Sequence, residues 1–152
     1  MGLDISHDAW HGAYSAFMTW RRKIAELSGL PPLDLMEGFY DPLPPNSRSL
    51  PSLYPGMVSE YSHTLKSLDE RLPIKWDCLK PSPLHELLYH SDSDGTIGYA
   101  KANLIANELE KLLPLFPNED AGGHIGNWKD KTQKFIDGCR LAYSRKEKLK
   151  FR

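Results

Sequence analysis

Only two cysteines, Cys78 and Cys139, occur in 152 residues. One pair at most, with no basic-then-apolar leader ahead of it, reads as two reduced thiols in an intracellular protein rather than a disulfide framework. No apolar run approaches the roughly 18 residues a membrane span needs, so a soluble, cytoplasmic protein with no membrane partner is expected. Surplus charge is equally scarce. Nineteen Lys and Arg stand against 20 Asp and Glu, a net charge of -1. That leaves no global basic field, and non-specific nucleic-acid binding is not expected. The Gly-x-x-x-x-Gly-Lys-Ser/Thr pattern is missing, which excludes a nucleoside-triphosphate P-loop, and there are no internal repeats.

What is present fits one ordinary domain. Forty per cent of the residues are hydrophobic and 26% charged, a globular composition. Leu3 and Ile5 alternate with polar residues as in a short strand, and residues 7–12 are too rich in polar groups and glycine for that strand to continue. Tyr14, Phe17, Met18, Ile24, Ala25 and Leu27 then follow helical spacing, with Gly29, Pro31 and Pro32 as the stop. Seven of the twelve prolines fall in residues 31–55. Regular structure there is limited to a helical turn near Leu33–Glu37, and Phe39, Tyr40, Leu43, Leu50, Leu53 and Tyr54 mark a wrapped loop pinned by aromatics. A helix is expected over residues 57–72, a short strand over Ile74–Cys78, and a helix opened by Ser82 and Pro83 through Tyr89.

Ile97, Ala100, Leu104, Ile105, Leu109, Leu112 and Leu113 mark one face of a further helix, ended by Pro114. Trp128, Phe135, Ile136, Cys139 and Tyr143 mark the buried side of the last one. Leu149 and Phe151 alternate with lysine, the pattern of a closing strand, although residues 145–152 as a whole form a basic tail of the kind that is usually solvated. The expected fold is mainly α (α or α+β), a single compact domain of four to five helices with a minor two- or three-stranded sheet.

Three stretches carry polar chemistry. The first is His90-Ser91-Asp92-Ser93-Asp94-Gly95-Thr96-Ile97, set between apolar segments. His90, Asp92 and Asp94 are spaced as oxygen and nitrogen ligands of a cation, and as in a calcium loop the glycine follows the second aspartate. Position 12 of such a loop would be Lys101, where a bidentate glutamate is needed. Without a metal, Asp92 or Asp94 caps a helix starting near Thr96 while Gly95 supplies a positive φ; that reading is favoured about two to one. The second is the loop over residues 118–126 with Gly122, Gly123, His124, Gly126 and Asn127. There the backbone N–H groups and a helix N-terminus offer a phosphate site, with Lys129, Lys131 and Lys134 to neutralise charge. An ordinary flexible connection with a solvated lysine face fits that stretch at least as well. The third is His7-Asp8-Ala9-Trp10-His11. Its two histidines could share a metal, or Trp10, Tyr14 and Trp20 could stack on a planar ligand while Arg21 or Arg22 pairs with phosphate. Aromatics at helical spacing are more often core.

The octet at His90, with Gly122-Gly123-His124, resembles motifs of DHH-type phosphoesterases, but no Asp-His-His triplet occurs in the chain. A broader resemblance runs through Met1-Gly-Leu-Asp-Ile-Ser-His, Trp10-His-Gly-Ala-Tyr-Ser-Ala-Phe, His90-Ser-Asp-x-Asp-Gly, Gly123-His-x-Gly-Asn127 and Lys131-Thr-Gln-x-Phe-Ile-x-Gly138. In these the chain is similar to a family of small phage, prophage and bacterial proteins of no established activity. The resemblance implies a phage-associated accessory protein working in a bacterial cytoplasm.

These readings give three functional expectations. The first is a non-enzymatic binder that sequesters a small phosphorylated ligand, a nucleotide signal among the candidates. Its ligand-binding set is His7, Trp10, His11, Arg21, Arg22, His90, Asp92, Asp94, Gly123, His124, Asn127 and Lys129. The second is a metal-dependent, phosphoesterase-like hydrolase in which His90, Asp92 and Asp94 hold a divalent metal ion, completed by His124 and by His7 or His11. The third is a protein-interaction module. All three are compatible with a homo-oligomer. In each of the first two, the acidic loop and both ends of the chain are expected to meet in space.

Overall fold

A computed structural model describes residues 2–39 and 73–152 of the chain. They belong to two compact units, one built from residues 1–30 and 81–152 and the other from residues 31–80. Four α-helices and two two-stranded antiparallel ladders occur among the described residues, so the protein is mainly α with a minor sheet, as expected.

The larger unit opens with a hairpin. Strand β1 (Leu3–Ile5) pairs antiparallel with β2 (Trp10–Gly12), Leu3 facing Gly12 and Ile5 facing Trp10. The polar stretch that was expected to end the strand is instead its turn. His7 and Asp8 both take left-handed backbone (φ 61° and 58°), and the Ala9 N–H donates to the Ser6 carbonyl at 3.3 Å. Two left-handed residues match the right-handed twist of paired strands, and His and Asp tolerate that region better than most side chains. The polar groups the sequence displays here therefore turn the chain without breaking the pairing, and β2 resumes at Trp10.

Helix α1 (Tyr14–Leu27) follows and buries Phe17, Trp20, Arg21, Ile24 and Ala25. These positions recur every three or four residues, the spacing of one helical face. Rings from three elements meet at its centre. Trp10 lies 5.1 Å from Phe17 and 5.2 Å from Trp20, and Trp20 lies 4.9 Å from Phe135. Edge-on and tilted pairs of this kind add about 0.5–1.5 kcal/mol each beyond area burial. The Trp20 Nε1–H donates to the Thr132 hydroxyl at 3.0 Å, which in turn donates to the Trp128 carbonyl at 2.8 Å, so the second indole of this cluster is paired inside the core.

Helix α2 (Leu84–Tyr89) leads through the acidic loop into β3 (Thr96–Ile97), and α3 (Tyr99–Leu112) starts two residues later. Helix α4 (Trp128–Arg145) packs along α3, and the chain closes in β4 (Leu149–Lys150). The buried face of α3 is Ala102, Ile105, Ala106, Leu109 and Leu112; Ala100 and Leu104, expected inside, are exposed. On α4 the buried position is Ala142, and Tyr143 is 47% exposed with its ring 6.2 Å from that of Tyr99. Ala102, Ala106 and Ala142 are fully buried beside larger side chains such as Ile105, Leu109 and Phe135 on these two helices. Arg140 of α4 ties the pair with donors to Asn103 and Asn107 of α3 and an ion pair to Glu110 at 2.8 Å.

The basic tail is not solvated as a whole. β4 pairs antiparallel with β3, Ile97 opposite Leu149, while Ile5 of β1 bridges Phe151 on the other side. Asp4 and Arg152 exchange main-chain hydrogen bonds at 2.7 and 2.9 Å, and the Phe151 N–H donates to the Gly95 carbonyl at 3.0 Å. Residues 149–152 thus fill a slot between two strand edges. Leu149 and Phe151 are buried there at 0% and 4% exposure, with Lys150 and Arg152 facing out. The period-2 pattern outweighs the basic composition because the strand needs only one apolar face.

In the smaller unit, the expected helical turn is a 3-10 turn over Leu33–Leu35. The expected strand over Ile74–Cys78 is reduced to a single parallel bridge, Met36 to Ile74, followed by a 3-10 turn over Trp76–Cys78. The expectations for residues 40–55 and for a helix over residues 57–72 lie outside the described residues.

Candidate functional site

The acidic loop does not cap a helix. Gly98, with no side chain to cap it, stands immediately before α3, and Thr96–Ile97 are spent on pairing with β4. Asp92 is half-buried and Asp94 exposed. His90 turns inward on the loop itself: its Nδ1 lies 2.8 Å from the Ser91 carbonyl oxygen and its Nε2 3.1 Å from that of Thr96. Its ring stacks on Phe151 with centroids 4.0 Å apart. Gly95, at φ 93°, leaves room for that ring, since a Cβ there would stand 3.1 Å from His90 Cε1. Among the described residues no group of three His, Cys, Asp or Glu side chains is arranged to hold a metal ion.

Arg21, expected at a phosphate, is 2% exposed. Its Nη1 donates to the carbonyls of Leu88 at 3.0 Å and His90 at 2.8 Å, and its guanidinium lies 4.6 Å from the Phe17 ring centroid. Burial pushes its pKa down to about 10, partly opposed by Asp92. It serves as an internal cap on the C-terminal end of α2, satisfying carbonyls that a helix end leaves open. Arg22, one position on, is exposed. Trp10 and Trp20 are both at 0% exposure, so neither offers a face to a planar ligand.

The glycine loop before α4 is also more self-contained than expected. Asp120 bridges Asn127, and the Asp120 carboxylate accepts the Gly122 N–H at 2.5 Å. The Asn127 side chain accepts the Lys129 and Asp130 N–H groups at 3.0 and 3.2 Å. That is an ordinary N-cap, and it occupies donors that a phosphate at this helix start would use. Gly123 is exposed, with φ 55° and nothing within 4 Å of a Cβ.

His124 reaches out of this loop to a different helix. Its Nδ1 accepts the Ala13 N–H at 2.8 Å at the start of α1. Gly12 makes the approach possible, for a Cβ on it would stand 3.0 Å from His124 Cβ and 3.5 Å from Trp10 Nε1. Helix α1 has no side-chain cap and no acidic residue in its first turn. Lys131 extends over the same corner. Its ammonium donates to the His11 carbonyl at 2.8 Å and lies 4.2 Å from the Trp10 ring centroid, a cation–π contact. Burial is the first cause lowering its pKa, helped by Lys134 and opposed by Asp8. Trp10 Nε1 is buried beside Gly12 with no hydrogen-bond partner among the described residues. Hydrogen-bond donors therefore converge at Gly12–Tyr14: uncapped helix amides, an ammonium and an indole N–H.

The hairpin's outer face carries the compensating charge. His11 lies between two carboxylates, with Nδ1 at Asp4 and Nε2 2.8 Å from Asp8, and Lys134 approaches Asp8 at 3.5 Å. The hydrogen bond from His11, then the charge of Lys134, holds the Asp8 carboxyl below the usual carboxylate range. At the turn, the Lys150 N–H donates to Ser6 Oγ, which lies 2.9 Å from His7 Nδ1, while His7 Nε2 lies 3.3 Å from Glu147. This chain of contacts joins the hairpin to the end of α4.

The structure thus brings Trp10, the His11 carbonyl and His124 to one corner, leaves the His11 imidazole with Asp4 and Asp8 on the hairpin's outer face, and holds His90 against Phe151, on the segment that pairs with β1. Arg21 is committed to the core, and Asn127 with the Lys129 amide to capping. Sequence reasoning passed over the corner itself. Its signal was an absence: no Ser, Thr, Asp or Asn stands immediately before the helix at Tyr14. No family model, curated protein or solved structure matches the chain.

Proposed function

We propose that this protein binds a small anionic ligand at the start of α1 and does not turn it over. The observation that carries the reading is the first turn of α1, which has no cap of its own and only the Ala13 N–H taken up by His124, flanked by Lys131 and the unpartnered Trp10 N–H. A helix start concentrates partial positive charge and open amides, and an ammonium beside it adds a full charge. A phosphoryl group has the acceptors and the charge to satisfy that set, with nucleotides and other phosphomonoesters as candidate ligands. The setting we attach to it, following the sequence resemblance, is a phage-associated accessory protein that sequesters a phosphorylated signal.

Calorimetric titration with orthophosphate, AMP, GDP and cyclic dinucleotides is the test, with mass spectrometry of any ligand after incubation. Binding that Lys131→Ala weakens about ten- to a hundredfold, with the ligand recovered intact, supports the reading, since a charge-assisted contact is worth roughly 1.5–3 kcal/mol. Silence across the panel, or binding indifferent to Lys131→Ala, rejects it. Conversion of the ligand would replace binding with hydrolysis.

A further inference from the structure

The segment 149–152 is held by parts of the chain far from it in sequence, through main-chain bonds to β1 and Gly95 and through the buried Leu149 and Phe151. It is joined to α4 by Lys146, Glu147 and Lys148, all exposed. The joint turns on one residue. Lys146 takes left-handed backbone (φ 55°, ψ 42°), and with the Glu147 N–H bonded to the Ala142 carbonyl at 2.9 Å this folds the chain back from the helix end. That conformation suits glycine and is strained for lysine. Arg145, Lys146, Glu147 and Lys148 are all good helix formers, so with Lys146 in the right-handed region α4 runs straight on and carries the strand out of its own slot.

We propose that residues 149–152 exchange between two copies of this chain, each strand filling the slot between β1 and β3 of the other. Every contact of the strand is remade identically in the second copy. The exchange therefore costs hinge opening and association entropy, releases the strain at two lysines, and among the described residues gives up the contact of His7 with the exposed Glu147 beside each hinge. Such a symmetric dimer closes on itself, because each copy donates and receives one strand.

The test uses the full chain in a Cys78→Ser background. Thr96 faces Lys150 across the β3–β4 ladder, and both are exposed. Thr96→Cys and Lys150→Cys chains are prepared separately, mixed at high concentration and oxidised. A disulfide-linked pair containing one chain of each kind is expected. Sedimentation of the chain carrying neither of these cysteines should show a monomer–dimer equilibrium, which Lys146→Gly shifts towards monomer on the order of thirtyfold, two hinges then being free of the left-handed penalty. Absence of the mixed pair, while the double variant closes within one chain, overturns the proposal. So does a dimer whose dissociation ignores Lys146→Gly.

Discussion

The loops around His90 and His124 each place a histidine near aspartate and glycine ahead of a helix pattern, yet they solve opposite problems. His90 has a main-chain carbonyl oxygen facing each ring nitrogen and lies flat on Phe151. It closes its own loop. His124 presents Nδ1 as an acceptor to the N–H of Ala13, a residue 111 positions away. It holds a helix start that has no cap of its own. A histidine's surroundings in space decide whether it gives or takes hydrogen bonds, and its sequence neighbours carry no information on which.

Four experiments break or sharpen that contrast. The largest effect is expected for Arg21→Ala, which removes the support beneath the His90 loop. Carbonyls of Leu88 and His90 lose a charged donor and the core gains a cavity beside Phe17. Urea unfolding should show a loss of about 3–5 kcal/mol. Stability within about 1 kcal/mol of the original would mean that this end of α2 does not need its internal cap.

Next is Gly138→Ala, which strikes the side of His124. A Cβ on Gly138 would stand 2.5 Å from Ala9 Cβ and 2.8 Å from Ala9 Cα, so the hairpin would have to lift from α4. The expected cost is roughly 2–3 kcal/mol, read as a lower urea midpoint. A smaller version of the contrast comes from asparagine at the two histidines. His124→Asn keeps an acceptor of the kind that caps helices and should lose less than about 0.5 kcal/mol, against about 1 kcal/mol for His124→Ala. At His90 neither asparagine nor alanine retains the stack on Phe151, and both should cost about 1–2 kcal/mol. Equal losses for asparagine and alanine at residue 124 would remove the capping role.

The smallest effect concerns acid. The Asp8 carboxyl titrates below its unfolded value because His11, then Lys134, stabilises the carboxylate. Its contribution is present above the unfolded carboxylate range and disappears as pH falls through the lower folded value. Asp8→Asn should therefore flatten the acid limb of a melting-temperature profile below about pH 4 and leave pH 7 nearly unchanged. An unaltered acid limb would show that His11 and Lys134 exert no net pull on Asp8.

The first and last helices were legible because Phe17, Ile24 and Ala25, and likewise Phe135, Ile136 and Cys139, recur at helical spacing. The closing strand was legible in the alternation of Leu149 and Phe151. Thr96–Ile97 was misread as a helix start because a two-residue strand has no periodicity of its own; only β4 beside it makes it a strand. The candidate site was half legible. Trp10 and His124 stood out as residue types, while the corner they share depends on Gly12 and on the Ala13 amide, neither of which advertises itself.

Periodicity and punctuation, which are local, settled by themselves that this chain is mainly helical and where most of its elements stop. Direction was settled only by the tertiary structure: that Arg21 points inward to carbonyls, that residues 149–152 lie between two strands, and that donors gather at Gly12–Tyr14. Arg21 meets carbonyls 67 and 69 positions away and His124 an amide 111 positions away, and nothing in the spacing of neighbouring residues encodes such partners.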